Sequence, residues 1–132
     1  MEKTIAIIKP DAIAAGNVGN IIALIEKNNF LIRELKKMHL SKKQAETFYD
    51  IHKSKPFFHE LVDYMISGPI VVMLLEKKNA IQAWRNLMGA TDPQQALPGT
   101  IRHLYGIDIG SNAVHGSDSQ ETALKEITFF FP

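Results

Sequence analysis

Apolar and polar positions along the chain follow two rhythms, one with a period near two residues and one near 3.6. Thr4 to Lys9 is a nearly unbroken apolar run closed by Pro10, which predicts a buried central strand. Val18, Ile21, Ile22 and Ile25 return at helical spacing and predict an amphipathic helix from Asn17 to Lys27, stopped by Asn28-Asn29. Phe30 to Leu40 alternates as a second strand, with a change of phase near Lys36-Lys37 that predicts a bulge there. Ser41 and Gln44 have capping-box spacing, and Ala45, Phe48, Tyr49 and His52 mark one face of the helix that follows. Pro56 suits the first turn of a further helix, with Phe58, Leu61, Val62 and Met65 as its buried stripe and Gly68-Pro69 as its stop. Ile70 to Leu75 is a second continuous apolar run and so a second central strand. Asn79 is placed to cap a helix to Met88, buried through Ala80, Trp84 and Leu87 and ended by Gly89.

Gly89 to Asn112 breaks this regularity, with four glycines, two prolines and no sustained period. A loop of that length in a compact domain is usually functional. Thr100 to Tyr105 reads as a short helix inside it, Ala113 to Gly116 as a short strand end, and Ser119 to Phe130 as the last helix, with Ala123, Ile127, Phe130 and Phe131 facing inward. Without the extra helices the order is β-α-β-β-α-β. The expected fold is therefore α+β, an α/β sandwich of ferredoxin-like type: a four-stranded antiparallel sheet with helices packed on one face. The 132 residues suit one domain spanning 1–132, long enough to hold a core without staples.

Composition narrows the chemistry. The absence of cysteine excludes disulfides, thiol nucleophiles, iron–sulfur ligation and thiolate zinc. The apolar runs Ile5 to Ile8 and Ile70 to Leu75 are too short for a signal-peptide core or a bilayer span, so the expectation is a cytoplasmic protein without a membrane partner. A formal net charge of +1, with lysine pairs short and scattered, argues against nucleic acid as the main partner.

Five histidines are present, none paired at metal-ligand spacing on a continuous helix. His115 has the richest surroundings, Asn112-Ala113-Val114-His115-Gly116-Ser117-Asp118-Ser119. Gly116 permits close backbone approach, and Ser117, Asp118 and Ser119 can satisfy amides at the next helix start. A neutral imidazole there is a competent nucleophile, although a single histidine beside a helix cap is more often structural. Lys9, Arg85 and Arg102 stand near proline or glycine breaks. Lys9 ends an apolar strand, where its ammonium either meets an anion such as phosphate or reaches solvent.

The run Asn112-x-x-His115-Gly116-Ser117-Asp118-Ser119 resembles the active-site signature of nucleoside diphosphate kinases. Ile8-Lys9-Pro10-Asp11-Ala12, Lys55-Pro56-Phe57-Phe58, Met65-Ile66-Ser67-Gly68-Pro69, Gly89-Ala90-Thr91-Asp92-Pro93 and Pro98-Gly99-Thr100-Ile101-Arg102 resemble further segments of that family, in order across nearly the whole chain. The resemblance implies a phosphotransferase. His115 takes the γ-phosphoryl group of a nucleoside triphosphate and hands it to a nucleoside diphosphate in a ping-pong cycle that maintains NTP and dNTP pools.

The resemblance further implies a role for each matching position. Lys9, Tyr49, Arg85, Thr91 and Arg102 surround the phosphates, and Lys9 and Asn112 hold the sugar hydroxyls. Phe57 stacks on the base, with Leu61 and Ile109 completing its slot. Ser117 and Glu126 lie near the histidine, with Glu126 orienting the imidazole through a ring nitrogen left open here. Mg²⁺ arrives with the nucleotide, bound mainly through its phosphates and with no dedicated protein ligand. The implied partners are ATP, GTP, ADP, GDP and their deoxy forms, and further copies of the chain in a homo-oligomer. Asp92 stands where asparagine is commoner in the family, Lys77-Lys78 replaces a turn that often has glycine, and the ending Phe131-Pro132 lacks a longer tail that often reaches a neighbour, so a tetramer stands beside the hexamer. The alternative reading is a non-catalytic nucleotide or nucleic-acid binding module of the same fold.

Overall fold

Two strands that are apolar along most of their length form the middle of the structure, a computed structural model describing residues 1–132. These are β1 (Glu2–Ile8) and β3 (Ile70–Lys77). Flanking them are β2 (Leu31–Met38) and β4 (Val114–Gly116), in the order β2-β3-β1-β4 with every pair antiparallel. This is the ferredoxin-like arrangement expected from the element order. The helices are α1 (Pro10–Ala14), α2 (Val18–Lys27), α3 (Lys42–Phe48), α4 (Phe58–Met65), α5 (Ala80–Met88), α6 (Ile101–Tyr105) and α7 (Gln120–Phe130).

The helices cover both faces of the sheet, which corrects the expectation of one. Ile5, Ile7, Val72 and Leu74 pack with Ala45 of α3, Val62 and Met65 of α4 and Phe130 of α7. On the opposite face Ala6, Ile8, Val71, Met73 and Leu75 pack with Ile21 and Ile25 of α2 and Trp84 and Met88 of α5. The reason lies in the strands. A strand apolar at consecutive positions points apolar groups to both sides and must be covered on both. Burying each such isoleucine contributes roughly 1.5–3 kcal/mol.

Four local expectations shift. Pro10 does not merely end β1; it is the first residue of α1, where its missing N–H is no loss. The irregularity of β2 falls between Ile32 and Glu34, while Lys36 and Lys37 pair regularly with Val72 and Val71. The extra residue, Arg33, donates to Glu76 Oε1 from Nε and Nη2 at 3.1 and 2.8 Å. Pro56 lies two residues ahead of α4, in the turn before it. Asn79 adopts a left-handed backbone (φ 54°, ψ 43°) and its side chain caps nothing. The cap of α5 comes instead from the far end of the chain, where Glu2 Oε1 accepts the Ile81 N–H at 2.9 Å.

The capping box at Ser41 is formed as expected: Gln44 N–H donates to Ser41 Oγ at 3.1 Å and Ser41 N–H to Gln44 Oε1 at 2.8 Å. Its value sets a scale against the core. Ser41→Ala is expected to lower stability by about 1 kcal/mol. Ile25→Ala, at a fully buried site, is expected to lower it by about 2–5 kcal/mol. Urea unfolding of the two variants checks the order; equal losses would contradict the packing described.

Candidate active site

Strand β4 is three residues long, yet it is the strand that delivers His115. His115 pairs with Ile7, so its side chain leaves the sheet on the face covered by α3 and α7. From α3 the Phe48 ring meets the imidazole edge-on, with centroids 5.3 Å apart. From α7 the Glu126 carboxylate faces it, with Oε2 3.0 Å from Nε2. Glu126 reaches this point because Ser119 starts α7, accepting the Thr122 N–H at 3.1 Å. Ala123, Glu126 and Phe130 then fall on the inward stripe.

A short chain of bonds fixes the carboxylate. Ser117 Oγ donates to Glu126 Oε1 at 2.6 Å and accepts the Ile5 N–H of β1 at 3.3 Å. An ionised carboxylate only accepts, so Nε2 of His115 is assigned as the donor and carries the ring proton. Nδ1 then holds the free lone pair and has no protein partner. Behind the histidine, Trp84 Nε1 donates to the His115 carbonyl at 3.1 Å. A Cβ on Gly116 would stand 2.5 Å from Trp84 Cδ1 and 2.6 Å from Met88 Cε. Only glycine therefore lets β4 lie against α5 here.

One residue before the histidine a second group gathers. Arg102 of α6 is buried, and its Nη1 and Nη2 donate to the carbonyls of Gly89 and Val114, each at 2.9 Å. Lys9, at the end of β1, is also buried and donates from Nζ to Asn112 Oδ1 at 2.9 Å. Asn112 Nδ2 in turn donates to the Thr91 carbonyl at 3.0 Å, which ties the long loop to β1. Neither Lys9 nor Arg102 nor the exposed Arg85 has a carboxylate within ion-pair distance. Burial, and then repulsion from Arg102, push the Lys9 ammonium down to about 8, partly countered by Asp11. Burial and then Arg85 push Arg102 down to about 10.

Two buried polar atoms of the site have no hydrogen-bond partner: Arg102 Nε in this group and the Tyr49 hydroxyl on the Glu126 side. Burial first, and the Glu126 charge second, raise the Tyr49 phenol above its ordinary range and keep it a donor. Orphaned donors cost on the order of 1–3 kcal/mol each unless something accepts from them. Cations without acids and donors without acceptors together describe a site for a polyanion. The structure has no group of three histidine, aspartate or glutamate side chains able to hold a metal.

The structure thus brings His115, Ser117 and Glu126 into one cluster, and Lys9, Asn112, Arg102 and the Thr91 backbone into a second beside it. Tyr49 adjoins the first, and Arg85 faces the second electrostatically. Phe57 and Ile109 are exposed and Leu61 is half-buried, and none of them hydrogen-bonds to either cluster. The Phe57 ring packs on His52, with centroids 5.5 Å apart. Three contributors escaped the sequence reading. In the sequence Phe48 reads only as part of a helix face, Trp84 only as core, and Asp11 only as part of a segment that resembles the family. Ala113 gives no signal at all, since its observed φ of +74° is one that glycine, not alanine, readily adopts. That conformation costs an alanine on the order of 1–3 kcal/mol.

Comparison with known proteins agrees with this geometry. A model of the family "Nucleoside diphosphate kinase" matches residues 2–132. The nucleoside diphosphate kinase of Chlamydia abortus is 59% identical over 99% of this chain and 93% of its own length. Among solved structures, that of the Aquifex aeolicus nucleoside diphosphate kinase has a TM-score of 0.98 at 42% identity, covering 99% of this chain and 95% of that one. The Encephalitozoon cuniculi enzyme has a TM-score of 0.95 at 40% identity, covering 99% and 89%.

The depressed Lys9 has a measurable consequence. Between pH 8 and 10.5 the unfolded chain keeps a lysine proton that the folded chain has released, so folding gains as pH rises through that window. The stability of the wild type minus that of Lys9→Met is expected to rise over the interval, by at most about 3 kcal/mol. Urea titrations at several pH values check this, and a flat difference would contradict the burial of a charged Lys9.

Proposed function

The chain belongs to the nucleoside diphosphate kinase family, and on that premise we propose that His115 is the residue that carries the phosphoryl group. Its enzymatic class follows from the family: it moves a terminal phosphoryl group from a nucleoside triphosphate to a nucleoside diphosphate. The observation that carries the residue assignment is the buried pair of Lys9 and Arg102, without acids, beside an imidazole whose Nε2 is already engaged by Glu126.

In the first half-reaction the Nδ1 lone pair attacks the γ-phosphorus of the donor. The N–P bond forms as the bond from γ-phosphorus to the bridging oxygen breaks, and the diphosphate departs with that electron pair. The Nε2 proton stays in place. The developing imidazolium is stabilised by Glu126, which Ser117 holds in orientation. In the second half a terminal oxygen of the acceptor diphosphate attacks the same phosphorus, and the N–P bond breaks back onto Nδ1. Lys9, Arg85 and Arg102 offset the charge of the phosphates, and the Tyr49 hydroxyl and Arg102 Nε supply donors to their oxygens. Thr91 lies at the same end of the long loop. Asn112 and Lys9 are assigned to the sugar hydroxyls, and Phe57, Leu61 and Ile109 to the base. Stacking on an apolar ring reads no base edge, so ATP, GTP and their deoxy forms all serve as donors.

Enzymes of this family use a divalent metal, and we assign Mg²⁺. The donor set around His115 is cationic and amide in character, which suits an ion held by the nucleotide's own phosphates and water. Bound there, Mg²⁺ offsets charge on the phosphate oxygens. The remaining proposals are a single kinase domain over 1–132, a cytoplasmic location and a homo-oligomer of four or six copies. No helix is long and apolar enough to cross a membrane.

Incubation with γ-labelled ATP and Mg²⁺ is expected to leave a base-stable, acid-labile label on the wild type and none on His115→Ala. An unlabelled wild type would defeat the assignment, and would favour the binding-module reading if nucleotide still bound. For the base, Phe57→Ala is expected to raise the nucleotide KM by roughly fivefold or more, similarly for adenine and guanine nucleotides. A change confined to one base would show that the slot reads base identity.

A further inference from the structure

Asp11 touches none of the groups assigned to the reaction, yet its two carboxylate oxygens bridge two sides of the site. Oδ2 accepts the Ala113 N–H at 3.1 Å. Oδ1 accepts the hydroxyl of Tyr64, a residue of α4, the helix that also carries Leu61. Burial, together with Asp11 itself, raises the Tyr64 phenol above its ordinary range, so the hydroxyl stays a donor.

Ala113 is fully buried and sits at φ +74°, where residues with a side chain rarely rest. Such a conformation persists only where the surroundings determine it. Here they do so from both sides, since the Ala113 carbonyl accepts the Lys9 N–H at 2.8 Å while Asp11 takes its N–H. The neighbours of Ala113 are both anchored to the cations. Asn112 accepts from Lys9, and the Val114 carbonyl accepts from Arg102. Any relaxation of Ala113 therefore displaces both anchors, and the start of the strand that carries His115.

Resting on the assignment of His115 above, we propose that Asp11 is a positioning residue for phosphoryl transfer. It locks Ala113 in the left-handed conformation and so holds Asn112, the Arg102 anchor and β4 in mutual register. Its contact with Tyr64 extends the lock to α4. A backbone displacement of the kind this lock prevents lowers transfer rates by about a hundredfold when it reaches about 1 Å.

The test uses the full-length protein with γ-labelled ATP and Mg²⁺, comparing the wild type, Asp11→Ala, and Asp11→Ala combined with Ala113→Gly. Asp11→Ala is expected to slow labelling of His115 by about ten- to a hundredfold and to raise the nucleotide KM. Adding Ala113→Gly is expected to recover about tenfold, because glycine takes φ +74° unaided. Because Ala113→Gly relieves strain at φ +74° in either case, a general folding role for Asp11 shows instead as lowered thermal stability, with the labelling rate per folded molecule and the nucleotide KM at their wild-type values. Asp11→Ala labelling at the wild-type rate, or a double variant no faster than the single one, overturns the proposal. Thermal unfolding reports whether each variant folds. If Asp11→Ala does not, Asp11→Ser, which keeps a hydroxyl in the first turn of α1 but is too short to span to Ala113, runs the same comparison. A wild type that takes no label sinks the His115 assignment instead, so the two failures are distinguishable.

Discussion

Holding two cations inside a protein with no carboxylate at ion-pair distance from either is the constraint on which the rest of the site depends. Lys9 and Arg102 are buried and repel each other, and carbonyl and amide oxygens alone receive them. These dipoles solvate a cation without neutralising it. A carboxylate in their place would stabilise the free protein and compete with an incoming phosphate. The carbonyls that do this work come from Gly89 and Val114, at the two ends of the long loop. The loop is thus closed by the same contacts that hold the charge.

The two-sided core makes that arrangement possible. Because β1 and β3 are covered on both faces, the sheet is rigid at its middle. Both Lys9 and His115 sit at its margin, one at the end of β1 and the other opposite Ile7. The Ile5 amide, in the same strand, orients Ser117, and Ser117 orients Glu126. His115, the proposed nucleophile, is therefore aligned against β1, which is buried from Thr4 to Ile8, whereas Phe57 and Ile109, proposed for the base, are exposed.

The sequence reveals what depends on period and on residue type. The four strands, their ferredoxin-like order, the helices at Val18–Lys27 and Gln120–Phe130 and the capping box at Ser41 all follow from local patterns. The cluster around His115 was legible because its residues match a family signature, not because spacing alone could join Lys9 to Asn112 across the chain. What escaped is non-local. The cap on α5 comes from Glu2, which no rule about Asn79 could supply. The α1 turn was hidden because Pro10 ends a strand and begins a helix with the same residue. The cover on the second face of the sheet was implied by the unbroken apolar runs. It was masked by the simpler picture of an antiparallel sheet with one wet face.

Gly116 leaves this site with an unusual kind of protection. Its missing side chain is the gap into which Trp84 and Met88 close, so any larger residue at that position displaces the helix behind the histidine before it alters the front. Random drift in the coding sequence therefore meets its first penalty in foldedness rather than in rate. The packing behind His115 thus sets a limit on this position that falls on folding before it falls on chemistry.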